Sequence, residues 1–305
     1  MNIFQRAEEL NTRGKKVCLA IGFFDGVHLG HQQILRQTIA DARQHSGVPV
    51  ALTFDQHPNT VVAPDKAPPL IYSLPQKLRT LQSLGLENIL LIQFDKQFSE
   101  QSGEAFIRGL AQGFGKIHSI CVGADFVFGH KRSGNVALLK KLGGELNFQV
   151  HGLSAVSLDG QAVSSTRIRE AIRTGNLDDA SQMLGRPYAI SGKVVIGDKI
   201  GRKLGFPTAN LEVTGLVLPP NGVYAALTKR KGKLYRVALN IGYRPTVASG
   251  KQLRVEAHLL DFHGELYNME LEIEIGEKLR EEKKFGSVEE LKEQIARDVA
   301  SVRER

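Results

Sequence analysis

The chain has 305 residues, 42% of them hydrophobic and 24% charged, with no tryptophan and a formal net charge of +8. That length suits two domains, each able to bury its own core, and the balanced composition excludes disordered and fibrous chains. The basic residues are spread over both halves, which fits a mildly basic surface facing anionic small substrates better than the stripe or tail of a nucleic-acid binder.

The first ten residues lack the apolar core of a signal peptide, and no run approaches the ~18 apolar residues needed to cross a bilayer, so the expectation is a cytoplasmic protein without membrane contact. The two cysteines, Cys18 and Cys121, each lie in an apolar strand-like segment. They read as buried thiols of a reducing compartment, not as a disulfide framework or a zinc cage.

In the first half, short apolar strands at Val17–Ile21, Val48–Phe54, Asn88–Phe94, Ile117–Val122 and Phe148–Leu153 alternate with helical stretches near 29–43, 75–84, 101–112, 134–142, 165–174 and 177–184. This alternation predicts a doubly wound parallel sheet in an α/β domain, with ligands at the carboxyl ends of the strands. The turn Gly22-Phe-Phe-Asp-Gly-Val-His28-Leu-Gly30-His31 occupies such an end. His28 and His31, three residues apart, share one face of the first helical turn, where unpaired N–H groups and the dipole favour an anion. Gly22, Gly26 and Gly30 leave room for a ligand to approach the backbone. Pro64–Pro69 reads as a loop.

Near the end of this half, Ser164-Ser165-Thr166-Arg167-Ile168-Arg169-Glu170 places hydroxyls and an arginine at a helix start, a second donor set for phosphate oxygens. Two anion sites on one sheet edge suggest a triphosphate and nucleotidyl transfer.

From Arg186-Pro187 onward the period changes to two. Ile190–Ile196, Val223–Leu227, Leu234–Ile241, Leu253–Phe262 and Met269–Ile275 are strand candidates, and they predict an antiparallel barrel or sandwich. Lys229–Lys233 reads as a hairpin turn, and Glu270, Glu272 and Glu274 as an exposed strand face. A final helix begins at a capping box of Ser287 and Glu290 and carries a stripe of Leu291, Ile295, Val299 and Val302 that could close one barrel end. The division is therefore expected at 1–185 and 186–305.

The segment Gly197–Leu211, GDKIGRKLGFPTANL, mixes glycines with Arg202 and Lys203, and Thr208 and Asn210 are two apart, so that both could face one cation from an extended segment. It is not a Walker-type phosphate loop. On composition alone it is as compatible with a plain surface loop.

GFFDGVHLGH together with SSTRIRE resembles the signature of the nucleotidyltransferase superfamily, and TFDQHP (Thr53–Pro58) with GADFVFG (Gly123–Gly129) resembles its FAD synthetase branch. That likeness implies transfer of AMP from ATP to FMN, giving FAD and pyrophosphate. It implies that His28 and His31 contact phosphates with Gly22, Phe24, Gly30, Ser165 and Thr166 around them, that Arg167 meets the leaving pyrophosphate, and that Asp125, Phe126 and Phe128 lie near the flavin or nucleotide. Gln56 departs from the pattern, which has proline before His57-Pro58.

GRKLGFPTANL with GVYAA (Gly222–Ala226), NIGYRPT (Asn240–Thr246) and VEAHLLDF (Val255–Phe262) resembles the riboflavin kinase family. By that likeness Thr208 and Asn210 hold Mg²⁺ and ATP phosphates near Gly201, Lys203 and Gly205. Glu256 is the general base for the riboflavin 5′-hydroxyl, and Phe206 is a candidate flavin contact. Tyr224 is another candidate or a core residue.

The whole chain thus resembles the bacterial bifunctional riboflavin kinase and FAD synthetase family. The resemblance implies riboflavin, FMN, FAD and ATP as ligands, Mg²⁺ as the cofactor, and no nucleic acid or obligate protein partner. Two rival readings stand beside it. In one, only one of the two activities is retained. In the other, the basic balance and the H-x-G-H turn mark a nucleic-acid binder, although the chain lacks a basic stripe, an anticodon-type extension and a KMSKS-like loop.

Overall fold

The computed structural model describes residues 1–198, 200–246 and 250–305, and the side chains of these except at 243–246 and 250–252. Lys199 of the Gly197–Leu211 segment and the side chains of Tyr243–Thr246 in NIGYRPT lie outside the described residues. Two compact units form: Met1–Leu70 with Leu74–Ser165, and Ile71–Ser73 with Thr166–Arg305. The change of period at 185/186 and the division by packing at 165/166 differ by the helices Ser165–Thr174 and Leu177–Leu184. The second of these is tied to the barrel side of the chain, where the Ser181 hydroxyl accepts the Tyr188 N–H at 3.0 Å.

The first unit holds a six-stranded sheet, parallel throughout: β1 (Asn2–Phe4), β2 (Val17–Ile21), β3 (Val48–Phe54), β4 (Asn88–Ile92), β5 (Ile117–Gly123) and β6 (Gln149–Leu153). Their order is β1-β4-β3-β2-β5-β6. Because successive side chains point to opposite faces, β2 sends Leu19 and Ile21 into one core with Phe106, Leu110 and Leu139. Ala20 enters another core with Ile34, Leu35 and Leu81. Cores on both faces make the sheet doubly wound, as expected. The strand β1 was not anticipated, since three residues are too few to show a period. The strand order reverses between β2 and β5, and in open α/β sheets the crevice at that reversal receives ligands.

The second unit is a closed antiparallel barrel of β7 (Ala189–Val195), β8 (Ala209–Glu212), β9 (Gly222–Arg230), β10 (Lys233–Thr246), β11 (Gly250–Leu259) and β12 (Glu270–Arg280). The circuit runs β7-β8-β11-β10-β9-β12. Inward residues such as Val237, Leu239, Val255, Ala257, Leu271 and Ile273 are all but fully buried, each worth roughly 1.5–3 kcal/mol relative to exposure for the larger side chains. The basic run at 229–233 is the β9–β10 hairpin, with Lys231 and Gly232 both at positive φ (47° and 81°), a two-residue turn suited to the strand twist. Glu270, Glu272 and Glu274 are exposed and alternate with buried Leu271, Ile273 and Ile275, as expected.

The final helix, Val288–Glu304, is capped by the Ser287 hydroxyl, which accepts the Glu290 N–H at 3.1 Å. Its stripe does not plug a barrel end. Val299 and Val302 pack on Ala225 and Ala238, which alternate with the inward residues and so belong to the outer wall. The closed barrel already fills its interior with its own side chains, leaving the helix the outer face.

Candidate active sites

In the first unit β2 ends at Ile21, and the chain turns through Asp25–Val27 into the helix Leu29–Gln44. Phe24 (φ 55°), Gly26 (φ 70°) and Val27 (φ 42°) all lie in the left-handed region, which is costly for a β-branched residue and persists only where neighbours enforce it. The Gln32 amide donates to the Val27 carbonyl at 3.0 Å, the Thr53 hydroxyl to the Phe23 carbonyl at 2.9 Å, and the Ser165 hydroxyl to the Asp25 carbonyl at 3.3 Å. Gly22 is required by close approach, since a Cβ there would lie 2.7 Å from the buried Phe24 ring.

His28 stands at the N-cap with an extended backbone, and the first helical bond runs from the Gln32 N–H to its carbonyl at 2.9 Å. The His28 and His31 rings stack with centroids 3.6 Å apart, and Phe24 meets His31 edge-on at 5.3 Å. Both histidines line one cleft of about 1120 Å³ with Gly22, Phe24, Gly30 and Ser165. The cleft also includes Asp125, Phe126 and Phe128 from the segment that follows β5, so it sits at the strand-order reversal. Its volume exceeds the ~300–1,000 Å³ usual for one small ligand. Phe126 and Phe128 stack at 5.1 Å with an interplanar angle of 16°, and Asp125 is exposed. Thr166, exposed, and Arg167, half-buried, follow Ser165 on the same helix and belong to the second unit.

Gln56, the departure from the family pattern, is anchored: its amide donates to the Phe94 carbonyl at 2.9 Å and its oxygen accepts from the Thr60 hydroxyl at 3.0 Å. Two side-chain bonds hold the loop where the pattern's proline would restrict φ. Lys77 sends its Nζ to the chain just after β2 and to the end of β3. Its helical neighbours gave no signal, because only the fold buries it.

In the second unit, Gly201, Phe206, Thr208, Asn210 and Glu256 line one pocket of about 410 Å³. Asn210 pairs in register with Glu256 across β8 and β11, and Asn240 of β10 pairs with Glu256 on the other side. A Cβ at Gly197 would overlap the Asn210 side chain. Lys203 is exposed on the short helix Ile200–Leu204 and Gly205 (φ 91°) follows it; neither lines the pocket. On β11, Arg254, Glu256 and His258 face outward and alternate with buried Val255, Ala257 and Leu259. Arg254 lies 2.8 Å from Asp198 and 3.8 Å from Glu256, and His258 meets the Pro207 carbonyl at 2.8 Å and the Phe206 ring edge-on.

The pocket's other wall comes from the terminal helix through Leu291, Ile295 and Asp298. Arg280, also lining it, is gripped by Asp298 through Nε at 2.9 Å and Nη2 at 2.7 Å. The period-two alternation on β11 could have marked Arg254, but nothing local ties Arg280 to Asp298. Tyr224 is core: it is 2% exposed, donates its hydroxyl to the Pro220 carbonyl, and burial pushes its phenol up to about 12. Both cysteines are buried free thiols. Among the described residues no helix is long and apolar enough to cross a membrane.

The model of the FAD synthetase family matches residues 10–167, and that of the riboflavin kinase family matches residues 184–305. The bifunctional riboflavin kinase/FMN adenylyltransferase of Escherichia coli K12 is 38% identical over 307 residues, covering 100% of this chain and 97% of the relative. That of Pseudomonas fluorescens is 39% identical, with 99% and 97% covered. A crystal structure of a macrolide-efflux protein from Streptococcus pneumoniae superposes with a TM-score of 0.82 at 28% identity, covering 99% of this chain and 98% of that one. With both family models in sequence and relatives aligned from end to end, the chain belongs to the bifunctional riboflavin kinase/FMN adenylyltransferase family.

Proposed function

We propose that this protein phosphorylates riboflavin to FMN with ATP and then adenylylates FMN with a second ATP, giving FAD and pyrophosphate. Residues 186–305 are assigned the first step and residues 1–185 the second. The observation that carries this is the meeting of Thr208, Asn210 and Glu256 in one pocket, separate from the cleft of His28, His31 and Ser165.

The riboflavin 5′-hydroxyl is a poor nucleophile until it loses its proton, and the Glu256 carboxylate is the base assigned to accept that proton as the oxygen attacks the γ-phosphorus. The Thr208 hydroxyl and the Asn210 carbonyl are hard oxygen donors, too few for a complete cage, which suits Mg²⁺ sharing its shell with phosphates and water. When bound, Mg²⁺ supplies charge neutralisation on the transferring phosphate. Asn210, fixed by its pairing beside Glu256, orients the acceptor side of the pocket.

The second step needs no protein nucleophile, because an FMN phosphate oxygen is already ionised and attacks the α-phosphorus in line. His28 and His31, at the N-terminus of the helix Leu29–Gln44, act as donors to the phosphates together with the helix dipole. Arg167 is assigned to the leaving pyrophosphate, and Phe126 and Phe128 to the flavin ring. Incubating the pure protein with riboflavin, ATP and Mg²⁺ and resolving the products by chromatography tests the proposal: FMN should appear first and FAD after it. A product mixture that never contains FAD would leave only the kinase.

A further inference from the structure

The cleft's phosphate turn holds a buried cation that neither reaction step uses. Lys77, on the helix Leu74–Ser83, is 3% exposed. Lysine is almost never buried to that degree without a partner that justifies it. Its Nζ donates to the Phe54 carbonyl at 2.8 Å, the Phe23 carbonyl at 3.2 Å and the Thr53 hydroxyl at 3.2 Å, and lies 4.3 Å from the centre of the Phe23 ring. Among the described residues no carboxylate stands at ion-pair distance from it. All three ammonium protons are therefore spent on the chain leaving β2 and the end of β3, where the cleft begins.

Phe23 is the residue at which the strained run starts. Phe24, Gly26 and Val27 follow it at positive φ, and the helix bearing His28 and His31 follows them. A non-glycine residue such as Phe24 or Val27 held at positive φ relaxes unless the surroundings over-determine it. Gln32 and Ser165 hold the far side of the turn. Lys77 and Thr53 both donate to the Phe23 carbonyl and so hold the near side.

We propose that Lys77 is the positioning residue that clamps the phosphate turn of the adenylyl-transfer cleft, so that ATP binding there, and not riboflavin phosphorylation, depends on its charged form. This rests on the reading that the Gly22–His31 turn receives the phosphates.

The charge state gives the clamp a pH signature. Burial pulls the Lys77 ammonium down to about 8, against the pull of Asp25 from the turn and Asp55 from the end of β3. His57 faces the same Phe23 ring edge-on, with centroids 4.9 Å apart. The charged form is present below about pH 8 and is lost as pH rises through that value.

The test uses the full chain. For Lys77→Met, KM for ATP in FAD formation from added FMN should rise at least tenfold, while riboflavin phosphorylation stays within twofold of wild type. For Lys77→Arg, whose guanidinium stays charged, FAD formation should persist at pH 9, where the wild-type rate has fallen. If Lys77→Met melts like wild type and keeps its KM for ATP, the clamp is refuted. An alkaline limb identical in wild type and Lys77→Arg refutes it equally, and this second arm decides the matter if Lys77→Met does not fold. Failure of the underlying reading looks different: wild-type FAD formation would then survive His28→Ala unchanged.

Discussion

Asn210 and Glu256, 46 positions apart in the chain, sit directly opposite each other in the antiparallel pairing of β8 and β11. Directly opposed residues have Cβ atoms about 4.5–5.5 Å apart, so an amide and a carboxylate are held side by side on the barrel's outer wall. Thr208 immediately precedes the first of these strands and lines the same pocket. With the roles proposed above, the two sites are expected to fail independently.

Glu256→Gln keeps the shape of the carboxylate and removes its basicity. Riboflavin phosphorylation should fall by on the order of 10²–10⁴-fold, while FAD formation from added FMN stays at the wild-type rate. Chromatography of the two separate assays checks both halves of this expectation.

His28→Ala removes one of the two stacked imidazoles at the helix start and should lower adenylylation by about 10²-fold, the scale for one positioned donor. The kinase rate is the internal control. Loss of both activities in a folded protein would exclude independent sites.

Asp298→Ala deletes the partner that grips Arg280 and also accepts from the Gln294 amide at 2.9 Å. Asp298 is 7% exposed, so the loss should cost about 1–3 kcal/mol in the second unit. The freed guanidinium and loosened helix should raise the kinase KM for riboflavin. Thermal unfolding and steady-state kinetics read the two effects, and adenylylation should be unchanged.

Burial pushes the Cys121 thiol up to about 12, and the Cys18 thiol in the same direction. Thiolate, the reactive form, is then scarce at pH 8. Iodoacetamide at that pH should label neither cysteine in the native protein and both in denaturant, as mass spectrometry would show. The folded state keeps a proton that the unfolded chain releases from about pH 9. This contribution to stability is therefore present below pH 9 and is lost as pH rises toward 12, a trend that denaturant titrations at several pH values can follow.

Much of the architecture is legible locally. The apolar run Val17–Ile21, the glycine turn and the helix after it follow from period and turn chemistry. So does the hairpin at Lys231-Gly232, and so does the capped terminal helix. The segment Ala209–Glu212 escaped as a strand because it lies inside a motif read for its donors and is only four residues long, yet the barrel closes through it. The terminal stripe was visible, but not the surface it covers, since an apolar stripe looks the same whether it meets a barrel end or a barrel wall.

Within the candidate sites the difference is one of range. Spacings of three on a helix and two on a strand place His28 with His31, and Thr208 with Asn210, because backbone geometry alone sets those distances. Lys77 beneath the Phe23 carbonyl, Arg280 in the grip of Asp298, and Asn210 beside Glu256 depend on strand order, register and burial. Those are set by which distant surfaces exclude water together, a property of the folded chain that no local window of residues contains.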